Sequence, residues 1–282
     1  MADHLIDCTN AQSTHRVAVH AWGDPQAPRA VVCLHGLTRN ARDFDFLAEA
    51  LAPRARVVAL DAVGRGESDW LPEGCEYGYP QYLADVQAVF DRLGLSAVDW
   101  VGTSMGGLVG MFLAAQQPEA ISRLVINDVG PFIPKAALER IGDYVGADPF
   151  FENLDEVRAY FAEVHAPFGP LDDRHIDHMA RHGVRADASG SGYRLRYDPR
   201  IGEPFQGEDI EDVDLWEVWD AIACPTLVLR GADSDLLLAE TAREMAQRGP
   251  RAEVVEIPGC GHAPSLMQPD QIEVVKGWLF GT

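Results

Sequence analysis

The sequence predicts an α/β protein in which helices cover both faces of a mostly parallel sheet. Short apolar runs typical of buried strands alternate with amphipathic helical segments, first in residues 16–131 and again in residues 225–280. This alternation is the pattern of βαβ units, whose strands run parallel. Between the two regions, amphipathic stretches replace the buried-strand runs. We therefore assign residues 1–131 and 215–282 to one core domain and residues 132–214 to a helical cap or lid inserted into it.

The individual elements follow from composition and spacing. The predicted core strands are short and rich in valine, isoleucine and leucine, as expected where both faces of a sheet are buried. In chain order they are residues 16–21, 29–34, 56–60, 97–101, 121–126, 225–229 and 252–257. The predicted helices repeat apolar residues every three or four positions, which puts those residues on one face. They are residues 41–52, 79–93, 108–115, 239–248 and 269–280 in the core, and 135–144, 155–165 and 172–183 in the insertion.

The composition is that of a globular protein with an acidic surface. Of the 282 residues, 47% are hydrophobic, and 44 acidic against 23 basic residues give a formal net charge of −21. Because this charge repels phosphate backbones and anionic lipids, we expect neither a nucleic acid nor a membrane as partner. The N-terminal residues do not resemble a signal peptide, no apolar run reaches ~18 residues, and the cysteines are scattered and odd in number. These features predict a cytoplasmic protein.

Residues 102–107, Gly-Thr-Ser-Met-Gly-Gly, stand between a predicted strand and a predicted helix and match the nucleophile-elbow pattern G-x-S-x-G. A sharp turn from strand to helix brings backbone segments close together, which favours glycine at positions 102 and 106. Ser104 would then project above the sheet at a helix N-terminus, where unpaired N–H groups favour negative charge. The pattern predicts Ser104 as a nucleophile.

A serine nucleophile needs a base to take its proton and a carboxylate to orient that base. His262 follows the last predicted strand in a loop of glycine and proline that can hold it over the sheet, so we predict that it is the base. Three aspartates follow strands and fit the chain order serine, acid, histidine. We favour Asp235 as the acid, and Asp233 and Asp128 remain alternatives.

The negative oxygen that forms during attack on a carbonyl needs two N–H donors aimed at one point. Met105 follows the nucleophile, and Leu37 stands in the loop after the first buried strand, so we predict these two as the oxyanion hole. A substrate pocket is expected beside them. Its candidate residues are His35, Gly36, Trp70, Phe132 and Trp216, with Phe168 and Trp219 as further aromatic candidates.

Two other groups of residues in the sequence have patterns typical of binding sites. The segment with His175, His178 and His182 would put these side chains on one helical stripe, and the last two have a spacing that binds zinc. The segment lacks an H-E-x-x-H arrangement, and a serine–histidine–aspartate triad needs no metal, so we expect neither a metal nor a cofactor. A phosphate-loop interpretation of the elbow fails because the required lysine is missing.

Taken together, these motifs resemble those of enzymes with the α/β-hydrolase fold. The resemblance rests on residues 35–37 (His-Gly-Leu), 64–68 (Gly-Arg-Gly-Glu-Ser), 102–107 and 261–264 (Gly-His-Ala-Pro), and it covers the whole chain except the insertion. Within this superfamily the chain is similar to carboxylesterases, lactonases and carbon–carbon-bond hydrolases. The segment of residues 230–237 resembles bacterial esterases, some of which accept polyesters.

The resemblance implies a serine hydrolase that cleaves small-molecule or polymeric carboxylic esters through an acyl-enzyme, without a cofactor. A carbon–carbon-bond hydrolase or an enol-lactonase on the same triad is the near alternative. A non-catalytic receptor or scaffold on this fold is the alternative from another class. In one respect the chain departs from the family pattern: many members carry the acid at the position that is Ser234 here.

Overall fold

The structure, a computed structural model, describes residues 2–9, 13–207 and 210–281. The strands in these ranges are β1 (Ala2–Thr9), β2 (Thr14–Trp22), β3 (Ala30–Leu34), β4 (Arg56–Leu60), β5 (Val98–Thr103), β6 (Ile121–Asn127), β7 (Phe132–Ile133), β8 (Phe150–Phe151), β9 (Val184–Ala186), β10 (Tyr193–Leu195), β11 (Val213–Asp214), β12 (Thr226–Gly231) and β13 (Glu253–Ile257). The α-helices are α1 (Asp45–Leu51), α2 (Tyr79–Leu93), α3 (Met105–Gln116), α4 (Lys135–Gly142), α5 (Leu154–Val164), α6 (Asp173–His182), α7 (Trp216–Asp220), α8 (Ala239–Met245) and α9 (Pro269–Phe280). Short 3-10 helices cover Ala41–Phe44, Ala166–Phe168 and Pro199–Phe205.

Among the described residues, eight strands form the main sheet in the order β1-β2-β4-β3-β5-β6-β12-β13. The two pairs that involve β2 are antiparallel, and the remaining pairs are parallel. This arrangement confirms the predicted fold class. The order also places β6 between the elbow strand β5 and β12, a neighbour relation that the chain order alone does not reveal.

The two faces of the sheet are covered by different helices because side chains alternate along each strand. Val31 and Cys33 of β3 pack with α1 and α9 on one face, whereas Val32 and Leu34 pack with α2 and α3 on the other. Both pairs are buried to within 1% of full burial. A continuous apolar strand therefore serves two hydrophobic layers, as its sequence predicts.

The structure differs from the sequence prediction at the N-terminal edge and in the insertion. β1 was not predicted, because among its described side chains only Ile6 and Cys8 are buried, with the charged Asp7 between them. The segment of residues 132–214, here called the cap segment, contains α4, α5 and α6. It also contains a small sheet, β8-β10-β9, whose strands of two or three residues are too short to show alternation.

The cap segment leaves and rejoins the core at one place. β7 and β11 pair antiparallel, with Ile133 opposite Val213 and Phe132 opposite Asp214. The two ends of the cap segment are thus held side by side. Among the described residues, no helix combines the length and the apolar composition needed to cross a lipid bilayer.

Candidate active site

Polar residues from three loops meet above one edge of the main sheet. Ser104 follows β5, Asp128 follows β6 and His262 lies in the loop after β13. Because β5, β6, β12 and β13 are consecutive neighbours and run parallel, their carboxyl ends lie at the same edge. The fold therefore brings together side chains that are up to 158 positions apart in the sequence.

The turn at Ser104 has a backbone conformation that few L-residues adopt. Ser104 has φ 51° and ψ −113°, and α3 begins at the next residue. The close approach of the surrounding backbone explains the flanking glycines: a Cβ at Gly102 would overlap the carbonyl oxygen of Gly106, and a Cβ at Gly106 would overlap that of Leu34. The turn exposes the Ser104 hydroxyl while its backbone stays fixed by a 2.9 Å bond from its N–H to Asn127 O.

A chain of hydrogen bonds runs from Ser104 through His262 to Asp128. Ser104 Oγ lies 2.9 Å from His262 Nε2, and His262 Nδ1 lies 2.8 Å from Asp128 Oδ2. A carboxylate can only accept, so Nδ1 carries the imidazole proton and Nε2 is free to accept the serine proton. The Asp128 side chain is fully buried and that of His262 is 10% exposed. The arrangement can transfer a proton from the serine hydroxyl to the imidazole.

The prediction that Asp235 orients His262 is wrong, and the alternative Asp128 makes this contact. The Asp235 side chain is 53% exposed and pairs with Arg140 of α4 at 2.5 and 2.9 Å. Asp233 is also exposed. Asp128 has the advantage of position, since it follows β6, which lies directly between the strands that lead to Ser104 and to Asp235.

Asp128 is well supplied with donors besides His262. Its Oδ1 accepts the Gly231 N–H at 2.7 Å, and its Oδ2 accepts the Ser234 hydroxyl at 2.6 Å. Ser234, which stands where the family resemblance would place the acid, thus donates to Asp128. Both oxygens of this buried carboxylate therefore have hydrogen-bond donors. A hydroxyl at position 234 and an aspartate at the end of the strand after the elbow are the sequence signals that could have identified Asp128.

The predicted oxyanion donors line the cavity into which Ser104 opens. Among the described residues, the Leu37 N–H has no acceptor. The Met105 N–H begins α3 and so lacks a partner within the helix. A Cβ on Gly36 would be 3.8 Å from Ser104 Cβ, so this loop approaches the elbow closely.

His35 fixes the loop that carries Leu37. Its Nδ1 lies 2.7 Å from Gly36 O, and its Nε2 accepts the Ala62 N–H at 2.9 Å, which makes Nδ1 the donor. Burial is the main reason that the pKa of His35 is lowered to about 4. A neutral imidazole is needed for this pair of bonds, because the protonated ring has no acceptor nitrogen.

The cavity beside Ser104 has a mixed, mainly apolar lining and encloses roughly 980 Å³, counting the solvent at its mouth. His35 and Gly36 line it, and so does Phe168. Aliphatic side chains that the sequence did not single out supply much of the remaining wall; these are Leu108, Val129, Ile133, Leu138, Ile141 and Leu236. A mainly apolar wall with a few polar groups is the kind of lining that small organic ligands bind.

Three predicted pocket residues, Trp70, Phe132 and Trp216, do not line this cavity, so the prediction is wrong for them. Trp70 is 42% exposed and packs under the Arg185 guanidinium, 5.0 Å from its ring centre. The ring of Trp216 is covered by Arg248 at 4.5 Å. Phe132 belongs to β7 at the base of the cap segment. Aromatic rings at the surface are stabilised by stacked arginines. The sequence alone does not distinguish such a surface ring from one that lines a pocket.

A second cavity adjoins the first. Both are lined by Thr38, Arg39, Tyr144, Phe168 and His262. The second has more polar groups, and those contributed by the cap segment include Arg140, Tyr160, His165 and Tyr197. His262 therefore borders both cavities, and Ser104 borders the first.

The predicted histidine stripe lies elsewhere. His178, His182 and Asp45 offer ligand atoms within 4.8 Å of one another, in a cleft separate from Ser104. The Arg42 guanidinium bonds Asp45 at 2.9 Å, and His178 Nε2 donates to the Arg42 carbonyl at 2.8 Å. Burial and the Arg42 charge lower the pKa of His182 to about 4. A positive side chain on the carboxylate opposes a cation there, and the cluster instead joins α6 to the core.

The chain is similar to known hydrolases over most of its length. A family model for the alpha/beta hydrolase fold matches residues 29–269. The 3-hydroxybutyrate-oligomer hydrolase of Cupriavidus necator is 42% identical over 285 residues, which cover 98% of this chain and 97% of that protein. An esterase of Mycobacterium tuberculosis is 30% identical and covers 92% of this chain and 84% of its own. The crystal structure of an alpha/beta hydrolase from Novosphingobium aromaticivorans has a TM-score of 0.84 at 38% identity, covering 97% and 96% of the two chains.

Proposed function

Since the chain belongs to the α/β-hydrolase family, we propose that it is a serine hydrolase of carboxylic esters, with Ser104 as nucleophile, His262 as base and Asp128 as the acid. The observation that carries the proposal is the continuous hydrogen-bond chain of these three side chains, with its serine end open to a cavity. A non-catalytic scaffold has no need of such a chain, because a strained serine and a buried carboxylate both cost stability.

The geometry supports the following reaction. Ser104 Oγ attacks the ester carbonyl while its proton moves to His262 Nε2. Asp128 stabilises the imidazolium that forms. The carbonyl oxygen becomes negative and accepts the N–H groups of Leu37 and Met105. His262 then gives its proton to the departing alcohol oxygen, which leaves an acyl group on Ser104.

Deacylation repeats these steps with water as nucleophile. His262 takes a proton from the water, the hydroxide oxygen bonds to the acyl carbon, and Ser104 leaves with the proton returned by His262. The net reaction consumes one water and one ester and yields one acid and one alcohol. Only protein groups and water take part in the proposed steps.

For the substrate class, we propose short oligomeric esters of small hydroxy acids. The relative from Cupriavidus necator, which matches this chain over nearly its whole length, is a 3-hydroxybutyrate-oligomer hydrolase. The two adjoining cavities support the same class, since an oligoester extends on both sides of the bond that is cleaved. The aliphatic wall beside Ser104 suits a short alkyl side group.

The proposal is tested with the purified protein and a panel of a 3-hydroxybutyrate dimer and trimer, p-nitrophenyl butyrate, an enol lactone and a vinylogous diketone. We expect turnover of the esters, with the oligoesters preferred in kcat/KM. Ser104→Ala should reduce this turnover by at least roughly 10³-fold, and a fluorophosphonate probe should label the wild type but not the variant. Cleavage of the lactone or diketone alone, or full activity in Ser104→Ala, would contradict the proposal.

A further inference from the structure

Arg65 is a fully buried arginine directly behind the predicted oxyanion hole. It follows β4 within the Gly-Arg-Gly-Glu-Ser segment, and none of its surface is exposed. Its Nε donates to Leu37 O at 2.8 Å, and its Nη1 donates to Val63 O at 2.8 Å and to the Tyr82 hydroxyl at 3.0 Å. Its Nη2 lies 3.8 Å from Met105 Sδ. One guanidinium therefore contacts both of the predicted oxyanion donors, Leu37 and Met105.

No carboxylate in the described part of the chain forms an ion pair with Arg65. Its partners among the described residues are carbonyl oxygens, a hydroxyl and a thioether, and the rings of Tyr77 and Tyr82 lie 5.4 and 5.2 Å from its guanidinium carbon. Two other buried arginines differ: Arg39 pairs with Asp43 and Arg230 pairs with Glu256. A buried charge without a counterion loses much of its solvation, so its presence needs a compensating reason.

The contacts of Arg65 complete the restraint of Leu37. The peptide group before Leu37 is held at Gly36 O by His35 Nδ1 and by the Arg39 N–H at 3.0 Å. The peptide group after Leu37 is held at its carbonyl by Arg65. The Leu37 N–H lies in the first of these peptide planes, and Arg65 holds the second, so that rotation of Leu37 about its backbone bonds is restricted from both sides.

The field of Arg65 reaches the groups around it. Burial is the main cause of the lowered pKa of His35, and the charge of Arg65 acts in the same direction, whereas the Asp61 carboxylate raises this pKa and has a larger effect than Arg65. A positive charge in a dry interior acts more strongly than one in water, and its sign here is the one that stabilises a negative oxygen beside Leu37 and Met105. Because Arg65 is wholly buried, it acts on a bound substrate through these residues and not by contact.

We propose that Arg65 is a positioning residue of the oxyanion hole, which fixes the Leu37 peptide and supplies an unpaired positive charge behind both N–H donors. The inference rests on the proposed function, because it concerns the negative oxygen formed during attack by Ser104. It assigns to Arg65 an effect on the transition state and none on ground-state substrate binding.

The test compares Arg65→Met, which removes the charge, with Arg65→Lys, which retains it but cannot make the same forked contacts. The readouts are kcat and KM for a neutral ester, affinity for an alkyl boronic acid, and affinity for a neutral alcohol product. The boronic acid forms a negative tetrahedral adduct with a serine and so imitates the transition state. Arg29→Met serves as the matched control, since it breaks an ion pair with the buried Asp99 far from the site.

We expect Arg65→Met to lower kcat roughly 100-fold and boronate affinity by a comparable factor, with KM and alcohol affinity within about threefold. The kcat of Arg65→Lys should be roughly tenfold higher than that of Arg65→Met. Arg29→Met should lose stability and keep kcat. If Arg65→Met does not fold, Arg65→Lys decides alone through a lower kcat at unchanged KM.

Two results would overturn the inference: kcat and boronate affinity within about threefold of wild type in a folded Arg65 variant, or parallel losses in boronate and alcohol affinity. Failure of the underlying function is distinguishable, because wild-type protein would then show no ester turnover that depends on Ser104.

Discussion

The floor and the roof of the cavity are held in place in different ways. The floor (Leu37, Ser104, Met105 and His262) is attached to the ends of parallel strands, and its polar partners Asp128, His35 and Arg65 are buried. The roof (Leu138, Ile141, Tyr144, Phe168 and Phe205) comes from the cap segment. Its helix α4 is linked to the core by the ion pair of Arg140 with Asp235, whose side chains are 40% and 53% exposed.

This difference separates two tasks. Groups that must keep their geometry within a fraction of an ångström stand on the rigid sheet with buried hydrogen bonds. Groups of the roof stand on short elements, and the ion pair that links α4 to the core is exposed and costs little to rearrange. Changes in the floor should therefore act on kcat, and changes in the roof should act on KM and substrate preference.

The largest effect is expected from the carboxylate of the floor. Asp128→Asn keeps the shape but cannot hold His262 in the tautomer that accepts the serine proton, so kcat should fall roughly 10⁴-fold. Asp235→Asn, at the edge of the roof, serves as the matched control and should leave kcat within about threefold. Steady-state kinetics on p-nitrophenyl butyrate decide between them, and a larger loss in Asp235→Asn would reverse the assignment.

Crowding at the elbow provides the next test of the rigid floor. A Cβ at Gly102 would overlap backbone atoms of Gly106 that cannot move without disturbing α3, so Gly102→Ala should lower the unfolding free energy by about 3 kcal/mol or more. The control is Gly78→Ala, because a Cβ there meets only Pro80, at 3.7 Å. Urea unfolding followed by circular dichroism measures both. Equal unfolding free energies of the two variants would show that the backbone around Gly102 can shift to accept a Cβ.

Much of the floor could be predicted from the sequence, because strand ends and tight turns leave marks there. Gly102, Ser104 and His262 stand at recognisable places for that reason. Asp128 could not be chosen over Asp235 with the same reasoning, since chain order does not reveal that β6 lies between β5 and β12. The roof left weaker marks: its wall is made of common aliphatic side chains, and its strands are two or three residues long.

Acid should destabilise the floor and the cap segment through different histidines. Burial lowers the pKa of His35 in the core and of His182 in the cap segment to about 4. In the unfolded chain the histidine has a pKa near 6.5, so between pH 6.5 and 4 it is protonated there but stays neutral in the folded chain. The stability that is present above pH 6.5 is therefore lost as the pH falls toward 4. For the fully buried His35, the loss between pH 7 and pH 5 should be about 2 kcal/mol.

The contribution of the cap segment is isolated by His182→Gln, which should reduce the fall in unfolding free energy between pH 7 and pH 5 while leaving kcat at pH 7 unchanged. His4→Gln is the control, because His4 is exposed and its replacement should leave the pH dependence as it is. Chemical unfolding at the two pH values provides the measurement. An unchanged pH dependence of the unfolding free energy in His182→Gln would show that His182 does not contribute to the loss of stability in acid.

The smallest effect is expected from the link between the roof and the core. Arg140→Ala breaks an exposed ion pair, so the unfolding free energy should change by less than about 1 kcal/mol. We expect kcat for p-nitrophenyl butyrate to stay within about twofold and KM for the oligoester trimer to change about threefold, since Arg140 lines the second cavity. A loss in kcat without a change in KM would contradict the separation of floor and roof.

The pairing of β7 with β11 has a consequence for the history of such a protein. The cap segment begins and ends in adjacent, hydrogen-bonded strands, and so its two junctions with the core stay the same whatever lies between them. Insertions or deletions in the intervening residues need not shift the register of any strand in the main sheet. The residues between the two junctions can therefore be replaced during evolution, and the roof of the cavity with them, while Ser104, His262 and Asp128 keep their places at the strand ends. Under the proposed function, such replacements would change which esters are bound without changing the residues that carry out the reaction.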